Sequence, residues 1–497
     1  LIYNHLLPKK IIVPPKKFKR KVSAFEGAYV KDPQVGMHDW VASFDLNSLY
    51  PHLLIMYNIS PETIVNAENH TEEMQKVLGS EVSVESLLEQ KIDTKELNGV
   101  TLTPNGQFFR RDKQGFLPKM MEEMYVDRKK FKNLMIQAQK DYEKNPSTEL
   151  SHLISRYNNL QLAKKVSLNS AYGALGSQYF RFYDLRQALA VTLAGQLSIR
   201  WIENKLNTYM NKILGTKEDY VVASDTDSIY LKLGSLIDKV FKEKPETDEA
   251  IKFMDKVCDG KIQSFIDKSY KELADYVHAY DQKMVMKREA LADKGLWTAK
   301  KRYVLNVYDN EGVRYTTPKL KIMGLEMIKS STPYAIREKM KELTKIIVTK
   351  GEEEVQEFIE KFKEDFKNLP PEEISFPRGV NGIKTYEDSS LIYKKGTPIH
   401  VRGALLYNQQ LKKLNLEKKY PAIQDGEKLK FTYLKQPNPI KDNVISFPTR
   451  IPKEFGLEKY IDFDTQFQKG FIEPTRFIVE CIGWEMEKSN SLEDFFE

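Results

Sequence analysis

The stretch Val221–Leu233 reads VVASDTDSIYLKL and gives the clearest indication of the fold. Two short runs rich in branched and aromatic residues flank Asp225-Thr226-Asp227, so we predict a strand, a tight acidic turn and a second strand. Two carboxylates in such a turn can point the same way and present oxygen ligands to Mg²⁺. Because aspartate is also common in ordinary turns, the pair alone leaves both interpretations open.

A second acidic strand end lies near the beginning of the sequence. Residues 41–45 (VASFD) predict a buried strand that ends at Asp45, and the NSLYPHLL that follows predicts a turn entering a helix. Backbone N–H groups in such a turn can bind phosphate oxygens. Two acidic strand ends are the minimum for a two-metal site that transfers a phosphoryl group.

Two long helices are predicted between these acidic segments, at about 118–143 and 147–172. Lys144-Asn145-Pro146 interrupts the periodic pattern between them, so the helices should form an antiparallel hairpin. A third helix is predicted at about 185–213, and Gly215 should end it.

The hairpin carries cations with helical spacing. Arg128 and Lys132 are four positions apart and share one face of the first helix, while Lys165, Asn169 and Tyr172 share a face of the second. In an antiparallel hairpin the two faces could meet one ligand, with the cations on phosphate and Asn169 and Tyr172 beside a base and a sugar. A solvated basic face is the alternative, and it is the more common arrangement for any single lysine.

The C-terminal half adds further β and helical segments. Residues 296–308 predict a β segment. Its basic residues fit two interpretations equally well: contact with a nucleic-acid backbone, or a solvated edge strand that carries lysines. This segment contains Lys300, Lys301, Arg302 and Tyr303. Two charged helices are predicted at about 333–350 and 352–367.

The bulk composition permits a polyanionic partner without requiring one. The 497 residues include 77 Lys and Arg and 70 Asp and Glu, which gives a net charge of +7. This length predicts about two to four subdomains. No run of about 18 apolar residues occurs, so no membrane span is expected. The two distant cysteines, Cys258 and Cys481, indicate a reduced, cytoplasmic protein.

Four motifs, in this order, resemble those of the family B DNA polymerases, and most closely those of the replicative polymerases of T-even-type bacteriophages. They are DLNSLYP (45–51), KVSLNSAYG (165–173), SDTDS (224–228) and KKRY (300–303). Similarity to the phage subgroup continues in NISPETI (58–64), PKLKIMGLE (318–326) and HVRG (400–403), so the resemblance covers essentially the whole chain.

The resemblance implies an α+β fold with the right-hand architecture of polymerases. A palm would contain an antiparallel sheet plus helices, the fingers would be a helical hairpin, and the thumb would be mostly helical. The corresponding segments are a linker or N-terminal arm (1–40), the palm (41–117 and 173–330), the fingers (118–172), the thumb (331–490) and a C-terminal tail (491–497).

The resemblance also implies roles for individual residues. Asp45 and Asp227 would bridge two Mg²⁺ ions, for which Mn²⁺ can substitute, with the Leu46 carbonyl as a further ligand and Asp225 as a weaker one. The incoming deoxynucleoside triphosphate would contact Ser48, Leu49, Tyr50, Arg128, Lys132, Lys165, Asn169 and Tyr172, with Tyr50 beneath its sugar. Primer-template DNA would contact Lys300, Lys301, Arg302, Tyr303 and Lys321.

These roles predict a template-directed DNA polymerase that extends a primer 3′-hydroxyl during DNA replication. A bulky ring at Tyr50 would clash with a 2′-hydroxyl, which argues against an RNA-making enzyme. A non-catalytic DNA-binding scaffold is the alternative from another class, and the presence of both Asp45 and Asp227 argues against it.

Two further expectations concern the ends of the sequence. Leu492, Phe495 and Phe496 resemble the short tails with which replicative polymerases bind a sliding clamp, and packing of this tail on the thumb is the alternative. Only 44 residues precede Asp45, too few for the 3′–5′ exonuclease domain that the family carries upstream. We therefore expect no proofreading by this chain, with a separate exonuclease chain as one possible partner.

Overall fold

The computed structural model describes residues 2–16 and 26–488 of the 497 in the sequence. The chain divides into two compact units. The first consists of Leu1–Gln34, His38–Gly295 and Leu305–Lys319, and the second of Val35–Met37, Leu296–Val304 and Leu320–Glu497. No helix within the described ranges is both long and apolar enough to cross a membrane.

Helices form much of the first unit, and its three longest helices follow one another in the sequence. They are α1 (Ile2–Leu6), α2 (Leu49–Met56), α3 (Glu72–Leu78), α4 (Val84–Leu88), α5 (Phe116–Lys144), α6 (Thr148–Leu175), α7 (Leu185–Leu214), α8 (Gly234–Val240), α9 (Thr247–Val257) and α10 (Gln263–Tyr276).

Among the described residues, eight strands belong wholly or partly to this unit. They are β1 (Gly36–Leu46), β2 (Val100–Leu102), β3 (Phe108–Arg110), β4 (Val221–Asp225), β5 (Ser228–Lys232), β6 (Met286–Ala299), β7 (Arg302–Asn310) and β8 (Val313–Met323). Six of them form one sheet in the order β4-β5-β1-β6-β7-β8, and β2 pairs with β3. Because β1 and β4 both run antiparallel to β5, their C-terminal ends flank the start of β5.

The first turn of α5 is held in place by a close backbone approach. The Gly115 N–H, just before α5, donates a hydrogen bond to the Asn58 side-chain oxygen at 2.8 Å. A Cβ atom at Gly115 would lie 2.4 Å from the Cβ of Ser60, so any side chain here would force the loop away. At the other end of the hairpin, Ser147 caps α6 by accepting a hydrogen bond from the Leu150 N–H at 3.2 Å.

One apolar core fixes the strands that carry the acidic residues. It contains Phe44 of β1, Leu53 of α2, Val191 and Leu197 of α7 and Ile229 of β5, each fully buried. The ends of β1 and β5 are therefore anchored in a closely packed core, so small displacements of their residues are costly.

The second unit combines helices with a small sheet. Its helices are α11 (Tyr334–Thr349), α12 (Glu352–Phe366), α13 (Pro371–Ile374), α14 (Ile383–Tyr386), α15 (Ile399–Lys413), α16 (Phe463–Phe467) and α17 (Glu473–Glu480). Its strands are β9 (Phe376–Gly379), β10 (Glu387–Asp388), β11 (Ile392–Tyr393), β12 (Lys428–Tyr433) and β13 (Val444–Phe447). Three form a sheet in the order β13-β12-β9, and β10 pairs with β11.

The predicted mixture of helices and antiparallel sheet is confirmed, and so are the long helices at 116–144, 148–175 and 185–214. The prediction of one β segment through 296–308 is wrong. Lys300 and Lys301 form a turn between β6 and β7, and Lys301 has a left-handed φ of 60°. The division into palm, fingers, thumb and tail stays a prediction.

Candidate active site

Three carboxylates meet at one end of the large sheet. Asp45 of β1 pairs with Ser228 of β5, which pairs in turn with Asp225 of β4. The Leu46 N–H donates a hydrogen bond to the carbonyl oxygen of Asp227 at 2.8 Å, which ties β1 to the turn between β4 and β5. Strand pairing therefore brings together acids that are about 180 positions apart in the sequence, as the two acidic strand ends predicted.

Burial and mutual repulsion disfavour the ionised form of these acids. Burial raises the pKa of the Asp45 carboxyl, and the charges of Asp227 and Glu289 raise it further, while Lys132 and Lys165 oppose the shift. Burial likewise raises the pKa of the Asp227 carboxyl, against the lowering effect of Lys165. A cation placed beside both carboxylates would reverse these shifts, so the pair is suited to hold one.

The donor atoms fit a hard divalent cation. Mg²⁺ is usually bound by one or two carboxylates together with substrate phosphates, rather than by a complete cage of protein ligands. Asp45 and Asp227 supply two carboxylates. Within residues 2–16 and 26–488, no group of three or more His, Cys, Asp or Glu side chains is arranged to hold a metal. The two carboxylates are donors of the kind that bind a metal together with substrate phosphates.

Helix α2 begins directly after the acidic end of β1. Ser48 precedes it with a left-handed φ of 48°, and Arg128 of α5 donates a hydrogen bond to Ser48 Oγ. The first N–H groups of a helix have no partner within the helix, so the start of α2 at Leu49 suits phosphate oxygens. Burial lowers the pKa of Arg128, and its Nε has no hydrogen-bond partner within the described part of the chain. Arg128 is therefore held beside the start of α2, where phosphate oxygens would lie.

Tyr50 lies between the acids and the second helix of the hairpin. Its ring stacks on that of Tyr172 in α6, with centroids 4.4 Å apart and an interplanar angle of 25°. Burial raises the pKa of Tyr50 to about 12, and the nearby charges of Asp227 and Asp225 add to the shift. A Cβ atom at Gly195 of α7 would lie 3.4 Å from Tyr50 Cε1, so the Tyr50 ring also lies close to the backbone of α7.

The cations of the hairpin differ in their surroundings. Lys132 forms an ion pair with Glu311, in the turn between β7 and β8. Lys165 is exposed on α6, and its charge acts on both acids at the sheet end. Asn169 is also exposed on α6, one helical turn further on. The predicted phosphate contacts thus include one lysine that already has an anionic partner.

A cavity of about 940 Å³ joins the acidic strand end to the hairpin. Its lining includes Asp45, Ser48, Arg128, Lys132 and Glu311. Pockets for cofactors and nucleotide-sized ligands typically occupy about 300–1,000 Å³. Cations, hydroxyl groups and carboxylates that converge on such a volume can hold a polyanion and the metal that accompanies it.

Comparison with known proteins identifies the family. Residues 1–252, just over half of the chain, match the family model for DNA polymerase family B. The chain belongs to DNA polymerase family B. The resemblance predicted from its motifs is confirmed.

Several members of the family are similar to this chain over most of its length. It is 34% identical to the DNA-directed DNA polymerase of Enterobacteria phage T4 and 33% identical to that of Escherichia phage RB69, in both cases across 100% of its length. It spans 59% of the length of each of these relatives. DNA polymerase 1 of Pyrococcus abyssi is 26% identical over 75% of the chain, which spans 38% of that relative.

The KKRY motif of this family B chain lies in the second unit, where Lys300 and Lys301 form a turn and Arg302 and Tyr303 begin β7. Arg302 donates a hydrogen bond to the Glu326 carboxylate at 2.7 Å, and the ring of Tyr303 stacks on Trp297. A Cβ atom at Gly324 would lie 2.1 Å from the carbonyl oxygen of Lys301, so this glycine is required for the turn to pack. Lys321 lies on β8. Their contact with DNA stays a prediction.

The clamp-binding prediction for this family B chain concerns Leu492, Phe495 and Phe496, which lie outside the described residues. It stays a prediction, as do the individual roles of the nucleotide-contacting residues.

Three residues at the site were missed by reading the sequence. Glu289 of β6 adds negative charge beside Asp45, Glu311 pairs with Lys132, and Gly195 lies next to the Tyr50 ring. Glu289 follows Arg288 within a strand, and no turn residue beside it marks a strand end. Glu311 lies in a turn, where acidic residues are common. Their partners are far away in the sequence, so spacing alone contains no signal for them.

Proposed function

We propose that this chain is a template-directed DNA polymerase that adds deoxynucleotides to a primer 3′-hydroxyl during DNA replication. The observation that carries this proposal is the pairing of β1 with β5, which brings Asp45 and Asp227 together beside Arg128 and Lys165 in a family B chain. Phosphoryl transfer depends mainly on positioning and on neutralising charge, and these residues supply both.

Asp45 and Asp227 would hold two Mg²⁺ ions, with the Leu46 carbonyl as a further ligand and Asp225 as a weaker one; Mn²⁺ can replace Mg²⁺. When bound, such ions neutralise charge that develops on the attacking and leaving oxygens. The two carboxylates fix the position of that positive charge, because their strands are hydrogen-bonded to each other and packed on a common core.

Protein groups near the two carboxylates would orient the incoming deoxynucleoside triphosphate. Backbone N–H groups of Ser48 and Leu49 and the side chains of Arg128, Lys132 and Lys165 would contact its phosphates. Tyr50 would lie beneath the sugar and exclude a 2′-hydroxyl by overlap, and its stacking on Tyr172 supports a fixed ring position. Asn169 and Tyr172 would lie beside the base and sugar.

The right-hand architecture completes the proposal. Residues 41–117 and 173–330 would form the palm, 118–172 the fingers, and 331–490 the thumb. Primer-template DNA would contact Lys321 and the KKRY segment, Lys300 to Tyr303. The residues Leu492, Phe495 and Phe496 would bind a sliding clamp, and the protein would work in the cytoplasm, that of the host if a phage encodes it.

Primer extension tests the proposal. The chain should extend a primed DNA template in the presence of Mg²⁺ and deoxynucleoside triphosphates. Asp45→Asn or Asp227→Asn should lower the rate by several orders of magnitude. Each variant loses a carboxylate that would hold the metal ions at the place where charge develops on the reacting oxygens. The matched control is Asp238→Asn, an exposed aspartate of α8, which should extend like the wild type. If either site variant kept more than about a tenth of the rate, a barrier change below about 1.4 kcal/mol, the assignment would be wrong.

A further inference from the structure

The lysine expected to hold phosphate already holds a carboxylate. Lys132 of α5 is ion-paired with Glu311, and the two side chains are only 30% and 27% exposed. The Glu311 N–H donates a hydrogen bond to the carbonyl oxygen of Glu289 at 2.6 Å, which fixes the turn that carries the carboxylate. Both residues line the cavity that also contains Asp45. A partly enclosed pair interacts more strongly than a fully solvated one.

We propose that Glu311 is the counter-ion that Lys132 exchanges for the phosphate oxygens of the incoming nucleotide. This inference rests on the proposed function and adds to it a residue that sets nucleotide affinity. Without nucleotide, Glu311 neutralises the charge of Lys132. Otherwise the nearby positive charge of Arg128 would repel that of Lys132. When a triphosphate enters, its oxygens replace the carboxylate on the ammonium group, which has three donors and no acceptor. Each binding event must therefore first overcome this ion pair.

The alternative is a purely structural role, in which Glu311 docks the hairpin on the sheet. A second ion pair is also placed to do this. Lys319 of β8 pairs with Glu143 of α5 at 2.8 Å, and this second ion pair also connects α5 with the strand that follows the β7–β8 turn. Glu143 lies 143 − 132 = 11 positions beyond Lys132, or about 16 Å along the helix. The two pairs differ mainly in that only Lys132 and Glu311 are among the residues that line the cavity.

Steady-state primer extension with Glu311→Gln tests the proposal, and Glu143→Gln is the matched control. Exchange predicts that Glu311→Gln lowers KM for the deoxynucleoside triphosphate about threefold, the scale of one partly exposed ion pair. Inhibition by inorganic pyrophosphate should strengthen to a similar extent, and the control should change neither quantity. A docking role predicts the opposite sign, a higher KM for both variants. An unchanged or raised KM for Glu311→Gln would overturn the proposal.

A binding measurement separates this proposal from the proposed function. Calorimetric titration of the metal-free protein with inorganic tripolyphosphate requires no catalysis. Glu311→Gln should bind tripolyphosphate more tightly than the wild type, and adding Lys132→Gln should remove the gain. If the gain persisted without Lys132, Glu311 would act only as a general negative charge and the exchange would be refuted. A wild-type chain that binds tripolyphosphate but never extends a primer would refute the polymerase function alone.

Discussion

Single residues at the site are placed where their charge is poorly stabilised by the protein alone. Asp45 and Asp227 are half-buried, and the pKa of each carboxyl is raised first by burial. Lys165 offsets part of this effect on both acids. A protein selected only for stability would replace such a pair, so the repulsion supports the divalent cation that we propose for this site.

The raised pKa values predict that Asp45→Asn stabilises the metal-free protein. When the pKa of a carboxyl is higher in the folded state than in the unfolded state, its ionisation destabilises the folded state. The wild type should therefore lose stability as pH rises from about 4, where unfolded aspartate ionises, through the raised pKa of the folded pair. At pH 8 in a metal chelator, Asp45→Asn should raise the free energy of unfolding by about 1.4 kcal/mol or more, one pKa unit.

Chemical denaturation at pH 8 and at pH 4, with and without Mg²⁺, measures this effect. The advantage of Asp45→Asn should shrink toward pH 4 and should also shrink when Mg²⁺ stabilises the wild type. Asp238→Asn serves as the exposed control and should show no such dependence. A variant that is less stable than the wild type at pH 8 would show that Asp45 is held by favourable contacts instead.

At the scale of elements, the helical hairpin and the KKRY turn present their cations in different settings. Lys165 is exposed on α6 and acts electrostatically on the acids of the first unit. Lys301 lies in the β6–β7 turn of the second unit, whose backbone packs on Gly324. These settings fit the division of labour that we propose, in which the hairpin would act on the nucleotide and the turn on the DNA backbone.

Replacing Lys165 or Lys301 with Ala should therefore have separate effects. Lys165→Ala should raise KM for the deoxynucleoside triphosphate about tenfold or more, because a charge-assisted contact with phosphate contributes about 1.5–3 kcal/mol. Duplex affinity should stay nearly constant. Lys301→Ala should weaken binding of primer-template DNA and reduce the slope of log affinity against log salt concentration by about 1. Titrations of labelled DNA at several salt concentrations, combined with nucleotide kinetics, would refute the division if both variants changed both quantities alike.

The sequence predicted those elements whose signals are local. The helical hairpin shows helical periodicity with a proline breaker, and the acidic turn stands between two apolar runs, so both were located to within a few residues. The turn at Lys300 and Lys301 was missed because no glycine, proline or asparagine marks it. Lys132 and Glu311 are 179 positions apart, and only the tertiary fold, which places α5 against the β7–β8 turn, brings them together.

At the scale of the whole molecule, each compact unit contains its own apolar core. The first core surrounds the strands and helices that carry the acids. In the second unit, one cluster is formed by α11, α12, α16 and α17 together with Leu296 and Val304, and another by α15 with the small sheet. Stability should therefore be distributed between separate cores, and a defect in one should be felt first within its own unit.

Phe362→Ala should destabilise the second unit selectively. This side chain is 3% exposed, and its ring contacts those of Phe366, Phe467 and Phe471 with centroids 4.8–5.7 Å apart. Removing a buried phenylalanine ring costs about 3–5 kcal/mol, through lost burial and the cavity that remains. Hydrogen exchange followed by mass spectrometry should show lost protection in α11, α12 and α17, while amides of β4 and β5 keep theirs. Phe477→Ala, at a site 65% exposed, is the control and should leave both regions unchanged. Equal loss of protection in β4 and β5 would show instead that the two cores unfold as one.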